Sequence, residues 1–160
     1  MSEAVESFWR EFCVVTGTDL ATPHDVYAFG DSPELADELL DLVLTGPERA
    51  TAGLVVEFEH RGDRLPVVGT LSVVLDGAGA PRCVLRTADV RVAPLRDVDA
   101  EFARDEGEGD RTLAWWQAAH ERYFGRTLPA IGIEIDDVDL WALDCVFERF
   151  EIAWTPTPPG

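Results

Sequence analysis

The sequence predicts an α+β domain, and three observations carry that expectation. Two segments within the first 45 residues have amphipathic helical spacing. Three β-type segments follow one another after residue 50. Hydrophobic residues make up 46% of the 160, enough for a core without a disulfide scaffold or disorder. One domain over 1–160 is expected, with its core at about 5–154 and a frayed tail at 155–160.

Residues 4–16 place Val5, Phe8, Trp9, Phe12 and Val15 at helical spacing, ending near Gly17. A polar stretch with Pro23 leads to Tyr27-Ala28-Phe29-Gly30. The next helix has Asp31 and Ser32 as caps and Pro33 in its first turn. Leu35, Leu39, Leu42 and Val43 share one face, and Gly46-Pro47 stops it. Thr51 to Phe58, Pro66 to Leu75 and Arg82 to Val92 then read as strands. His60-Arg61-Gly62-Asp63 and Asp76-Gly77-Ala78-Gly79 give hairpin-type turn signals between them. Strands in series without intervening helices predict an antiparallel sheet or small barrel. A short helix is expected at 97–104, a second at 112–124 with Leu113, Trp116, Ala119, His120 and Tyr123 on one side, and a last strand from Asp144 to Trp154.

The charge excludes whole classes of partner. Thirty-one acidic residues against 13 basic give a net −18, so bulk duplex DNA or a long RNA would be repelled. A pocket for one nucleotide, or for a short single-stranded RNA, remains compatible, and so does a basic protein partner. All 13 basic residues are arginine, which removes Schiff-base and lysine acid–base chemistry. Cys13, Cys83 and Cys145 are scattered without a CxxC, so neither zinc nor a disulfide framework is expected. No metal or other cofactor is expected. The N-terminus lacks a signal-peptide pattern and the apolar runs are shorter than a membrane span, which points to the cytoplasm.

Two segments can carry chemistry. Glu106-Gly107-Glu108-Gly109-Asp110 crowds carboxylates on a glycine-rich loop, where a raised pKa would supply a general acid or base. The same loop can instead be solvated and cap the following helix with Asp110. Its spacing is not that of a twelve-residue calcium loop. Thr45 to Gly53 joins helix to strand and offers Gly46, Glu48, Arg49 and Thr51 to a ligand, or forms a helix C-terminal turn with Arg49 near the dipole. Its order is helix then strand and it has no lysine, so it is not a P-loop. His24 and His60 fall in loops, while His120 reads as a packed or hydrogen-bonded histidine. Trp115 and Trp116 point about 100° apart on a helix, so one belongs to the core and the other lies near the surface.

Taken together, several of these segments resemble the ASCH domain family of the PUA-like superfamily. They are Phe29-Gly30-Asp31-Ser32-Pro33-Glu34-Leu35-Ala36-Asp37-Glu38-Leu39, Gly46 through Ala52, and Cys83-Val84-Leu85-Arg86-Thr87. Glu106-Gly107-Glu108-Gly109-Asp110-Arg111-Thr112-Leu113 with Trp116, His120-Glu121-Arg122-Tyr123-Phe124 and Glu148-Arg149-Phe150 complete the set. The resemblance implies a PUA-like small β-barrel of mostly antiparallel strands with flanking helices, and a polar cleft for a nucleotide, nucleoside or short RNA. Gly46, Arg49, Arg86, Glu108, Asp110, Arg111 and Trp116 would serve as ligand-binding residues.

Some relatives are hydrolases, either ribonucleases or an amidohydrolase acting on N4-acetylcytidine through a lysine, a threonine and a glutamate. The threonine and glutamate correspond to Thr51 and Glu106, and the lysine position is Glu48. The resemblance therefore implies a binding module without the lysine-dependent step. A hydrolase that uses Thr51 and Glu106, with Glu48 as a further acid, is the alternative. An acidic protein-interaction or regulatory module is a third reading.

Overall fold

Ser2 begins the first element by accepting a hydrogen bond from the Val5 amide, and helix α1 runs Glu3–Thr16 to Gly17 at φ 74°. The computed structural model describes residues 2–156, so the expected fraying at 157–160 lies outside the described residues. Val5, Phe8, Trp9, Phe12 and Cys13 form the buried stripe of α1. Val15, expected on that stripe, is 62% exposed and lies outside it. Helix α2 (Pro33–Thr45) starts where the Ser32 side chain accepts from the Leu35 amide, and it buries Ala36, Leu40 and Val43.

Strands β1 (His24–Ala28), β2 (Ala50–Leu54), β3 (Leu71–Leu75), β4 (Pro81–Pro94) and β5 (Asp144–Trp154) form one sheet in the order β1-β3-β4-β5-β2. Only the β1–β3 pair is parallel. The sheet curls into a half-barrel flanked by five α-helices. Side-chain alternation explains the uninterrupted Leu-Ser-Val-Val-Leu of β3: both of its faces are covered. Leu71, Val73 and Val84 pack under α1, while Val74, Cys83 and Leu85 pack with Leu40 and Val43 of α2. A third cluster joins Ala50, Leu54 and Phe147 to helices α4 (Ala100–Glu106) and α5 (Leu113–Ala130) through Phe102, Trp116 and Phe124. Register shifts at Val84/Leu85 and Thr87/Asp89 let the long β4–β5 ribbon bend.

Several expectations are corrected. The second half of the expected strand 51–58 is helix α3 (Val55–Arg61), and Gly62 at φ 73° caps its C-terminus instead of turning a hairpin. Phe58 folds back so closely that a Cβ on Gly53 would meet its ring at 2.9 Å. The expected strand from Pro66 begins only at Leu71, since Pro66 has no amide to donate and Gly69 sits at φ 93°. Strand β1 runs from the segment read as a polar stretch into Tyr27-Ala28. Helix α5 continues past 124 to Ala130, and α4 starts three residues later and ends two residues later than the expected 97–104. Among the described residues no helix is long and apolar enough to cross a membrane.

Candidate functional site

Thr51 pairs with Glu148 in the β2–β5 ladder, so both side chains leave the same face of the sheet. Ser72, Thr87 and Phe150 belong to that face as well, and Thr87 Oγ1 donates to Glu148 Oε2 at 2.6 Å. β1 and β2 are opposite edges of the sheet, yet residues of both line one cleft of about 640 Å³. The curl has therefore closed the sheet around this face. Tyr27, Phe29, Phe58, Tyr123 and Phe124 line the cleft. Asp25, Glu57, Asp63 and Glu148 supply carboxyls.

Burial shifts four of the cleft's titratable groups toward their uncharged forms. Burial, then the charges of Glu148 and its neighbours, raises the Tyr27 pKa well above the ordinary phenol value. Burial raises Tyr123 to about 12, with Glu57 and Asp31 adding to the effect. Burial also raises Glu57 and Glu148, and in Glu148 this outweighs the Thr87 hydrogen bond. Arg61 and Arg64 line the cleft, and Arg64 makes no ion pair among the described residues. Arg61 Nε donates to Asp63 at 2.8 Å, and Arg126 forks onto Asp31 at 3.1 and 3.3 Å.

Beyond Thr51 and Tyr123 the cleft runs into a chamber of about 210 Å³ that also contains Glu48, Glu106, Glu108, Trp115 and His120. Backbone contacts hold the two acidic segments together. The Arg49 amide donates to the Asp105 carbonyl at 2.7 Å, and Arg149 Nε holds the Asp105 side chain at 3.1 Å. Gly107, at φ 76°, allows the turn after α4 to touch the Glu48 backbone.

Inside the chamber Glu106 is buried, and its two oxygens face different partners. Trp116 Nε1 donates to Oε2, while His120 Nε2 lies 3.1 Å from Oε1. The Trp116 indole stacks on the His120 ring at 3.7 Å. Burial, followed by the charges of Glu108 and Glu106, pushes Glu48 up to about 10 against a smaller opposing pull from Arg49. Burial and Glu106 push Glu108 up to about 8. For His120, burial favours the neutral ring, but Glu106, Glu108 and the Trp116 carbonyl outweigh it and raise the pKa.

The structure thus brings Glu48, Thr51, Glu106, Glu108 and Trp116 together. It does not bring the other expected residues to them. Gly46 ends α2, and its amide bonds back to the Leu42 carbonyl. Arg49 is exposed and donates to the carbonyls of Val43 and Glu48. Arg86 is on the surface with Glu151, Asp110 caps α5 through Thr112, and Arg111 bonds to the Arg104 carbonyl. Tyr27, Tyr123 and Glu148 are not among the expected site residues, and His120 is expected only as a packed or hydrogen-bonded histidine. The i, i+4 spacing of Trp116 and His120 was the available signal, since it puts both on one helix face.

A model of the ASCH domain matches residues 25–153. The crystal structure of protein EF3133 from Enterococcus faecalis V583 is similar, with 30% identity and a TM-score of 0.81 over 96% of this chain and 90% of that one. An ASCH domain from Lactobacillus crispatus JV V101 is 30% identical with a TM-score of 0.82 over 95% of each chain. No curated protein matches the chain.

Proposed function

Because the chain belongs to the ASCH domain family, with its PUA-like fold, we propose that the cleft binds a phosphate-free nucleoside. One observation carries this reading: five aromatic rings and four carboxyls line the cleft against two arginines, of which Arg61 is already paired with Asp63. Aromatic faces stack on a base, and carboxyls accept from, or when protonated donate to, its polar edge. A phosphate would face four carboxyls and compete with Asp63 for Arg61, which leaves Arg64 as the one unpaired arginine in the lining, on a protein of net charge −18. The volume of about 640 Å³ lies in the range of small-molecule sites. Calorimetry against nucleosides, nucleotides and short single-stranded RNAs at about 100 mM salt tests the reading. Nucleoside binding is expected. Heat only from the RNAs, or from none of the three, rejects it.

Thr51 favours a second reading, because it lines both the aromatic cleft and the acidic chamber. A ligand stacked in the cleft would present an exocyclic substituent toward Glu106. In a hydrolase of N-acylated nucleosides, Thr51 would attack or position water, Glu106 would act as base, and Glu48 would be a further acid. The test is release of acid from N4-acetylcytidine. Activity that persists unchanged in Glu106→Gln would contradict these roles.

A further inference from the structure

We propose that Glu48, Glu106, Glu108 and His120 form a binding site for one divalent transition-metal cation. Ligand atoms of Glu106, Glu108 and His120 lie within 4.8 Å of one another. Glu48 is the independent observation. It is only 1% exposed, and its Oε2 is buried without a hydrogen-bond partner at the wall of the same chamber. A buried carboxylate oxygen with no partner costs free energy unless something of opposite charge meets it.

The histidine geometry fits a metal ligand. His120 Nδ1 lies 2.9 Å from the Trp116 carbonyl, which can only accept, so Nδ1 carries the proton. In the neutral ring, Nε2 then presents a lone pair to a carboxylate oxygen 3.1 Å away. Two lone pairs do not face each other at that distance without a proton or a cation between them. Two donors bound cis to one metal at about 2.1 Å are separated by about 3.0 Å, close to the spacing found here.

Charge points the same way. The chamber is lined by three carboxyls, one imidazole and two exposed arginines; Arg126 is paired with Asp31, and Arg49, next to Glu48 in sequence, turns its guanidinium toward backbone carbonyls. A divalent ion would favour the ionised carboxylates that burial disfavours here and would offset two of their negative charges. Carboxylate oxygens with a single imidazole suit Mn²⁺, Fe²⁺ or Zn²⁺ better than a thiolate-seeking ion. The absence of an expected metal in the sequence reading has a plain cause. The ligands come from three separated segments, the loop before β2, the end of α4 and the middle of α5, so no ligand motif is visible along the chain.

The site stands independently of what the cleft binds. Its test uses the full chain, stripped with a chelator and then titrated with Mn²⁺ and with Zn²⁺ by calorimetry. Elemental analysis after dialysis counts the retained ion. About one equivalent is expected, and Glu48→Gln should weaken affinity about tenfold or more. Glu48→Lys puts an ammonium where the ion would sit and should abolish retention. Circular dichroism checks that each variant folds, and Arg86→Gln, on the outer surface, should bind like the parent. Failure of the parent to retain either ion overturns the proposal. So does equal affinity in the parent and a folded Glu48→Gln or Glu48→Lys chain.

Discussion

Gly107 rests against Glu48 so closely that a Cβ on the glycine would lie 2.9 Å from the Glu48 amide nitrogen and 3.0 Å from its Cα. The contact is backbone to backbone, so neither side can swing away. It fixes the acidic turn after α4 against the loop entering β2 and thereby assembles the chamber.

Gly107→Ala should therefore lose more stability than a simple left-handed strain explains. Gly17 has a similar φ of 74°, and a Cβ added there would have nothing within 4 Å, so Gly17→Ala measures the strain alone. We expect about 1 kcal/mol for Gly17→Ala and about 2–4 kcal/mol for Gly107→Ala. Urea denaturation of the two variants checks the difference, and equal losses would remove the contact from the account.

Trp116→Phe keeps most of the buried ring and deletes the indole N–H that Glu106 accepts. A loss of about 1–3 kcal/mol is expected, because a buried carboxylate forfeits a donor. Denaturation in chelator-containing buffer isolates this from any effect of metal. A loss below about 0.5 kcal/mol would show that Glu106 finds a replacement partner.

Glu148 carries a pH prediction. Its folded pKa is raised, chiefly by burial, above the ordinary value of 4.5. The folded chain thus holds a proton that the unfolded chain releases, and the stability this gives is full below pH 4.5 and declines as pH rises through the folded pKa. Glu148→Gln should flatten part of that decline, by at most about 1.4 kcal/mol per pH unit over the window. Denaturation curves between pH 4 and pH 8, compared with the parent, provide the check. An unchanged slope would contradict the burial argument.

Much of the fold was legible because its signals are local. Ser32 and Pro33 start α2, Ser2 and Gly17 bracket α1, and Asp76 to Gly79 turns β3 into β4. What was hidden depends on distant partners. Val55 to Phe58 has strand composition, but Val56 packs on the α5 cluster and Gly62 caps a helix, so tertiary contact overrides propensity. β1 is a five-residue edge strand whose parallel partner begins 47 positions later, with His24 opposite Leu71. The loop at 46–52 and the turn at 106–110 stood out as polar and glycine-rich. That Glu48 and Glu106 share a chamber while Arg49 and Arg86 face away follows from strand alternation and loop packing, which spacing along the chain does not encode.

Ring stacking gives the cleft its own prediction. Tyr27→Ala should weaken nucleoside binding by about 1–3 kcal/mol, while a conservative Tyr27→Phe keeps most of it. Fluorescence or calorimetric titration resolves a change of that size. Equal binding by the parent and Tyr27→Ala would move the ligand elsewhere.

The most direct measurement compares one nucleoside with its 5′-monophosphate by calorimetry at low and high salt. The account predicts that the nucleoside binds with little dependence on salt and that the added phosphate weakens binding. Tighter binding of the monophosphate, falling steeply as salt rises, would contradict a phosphate-free site.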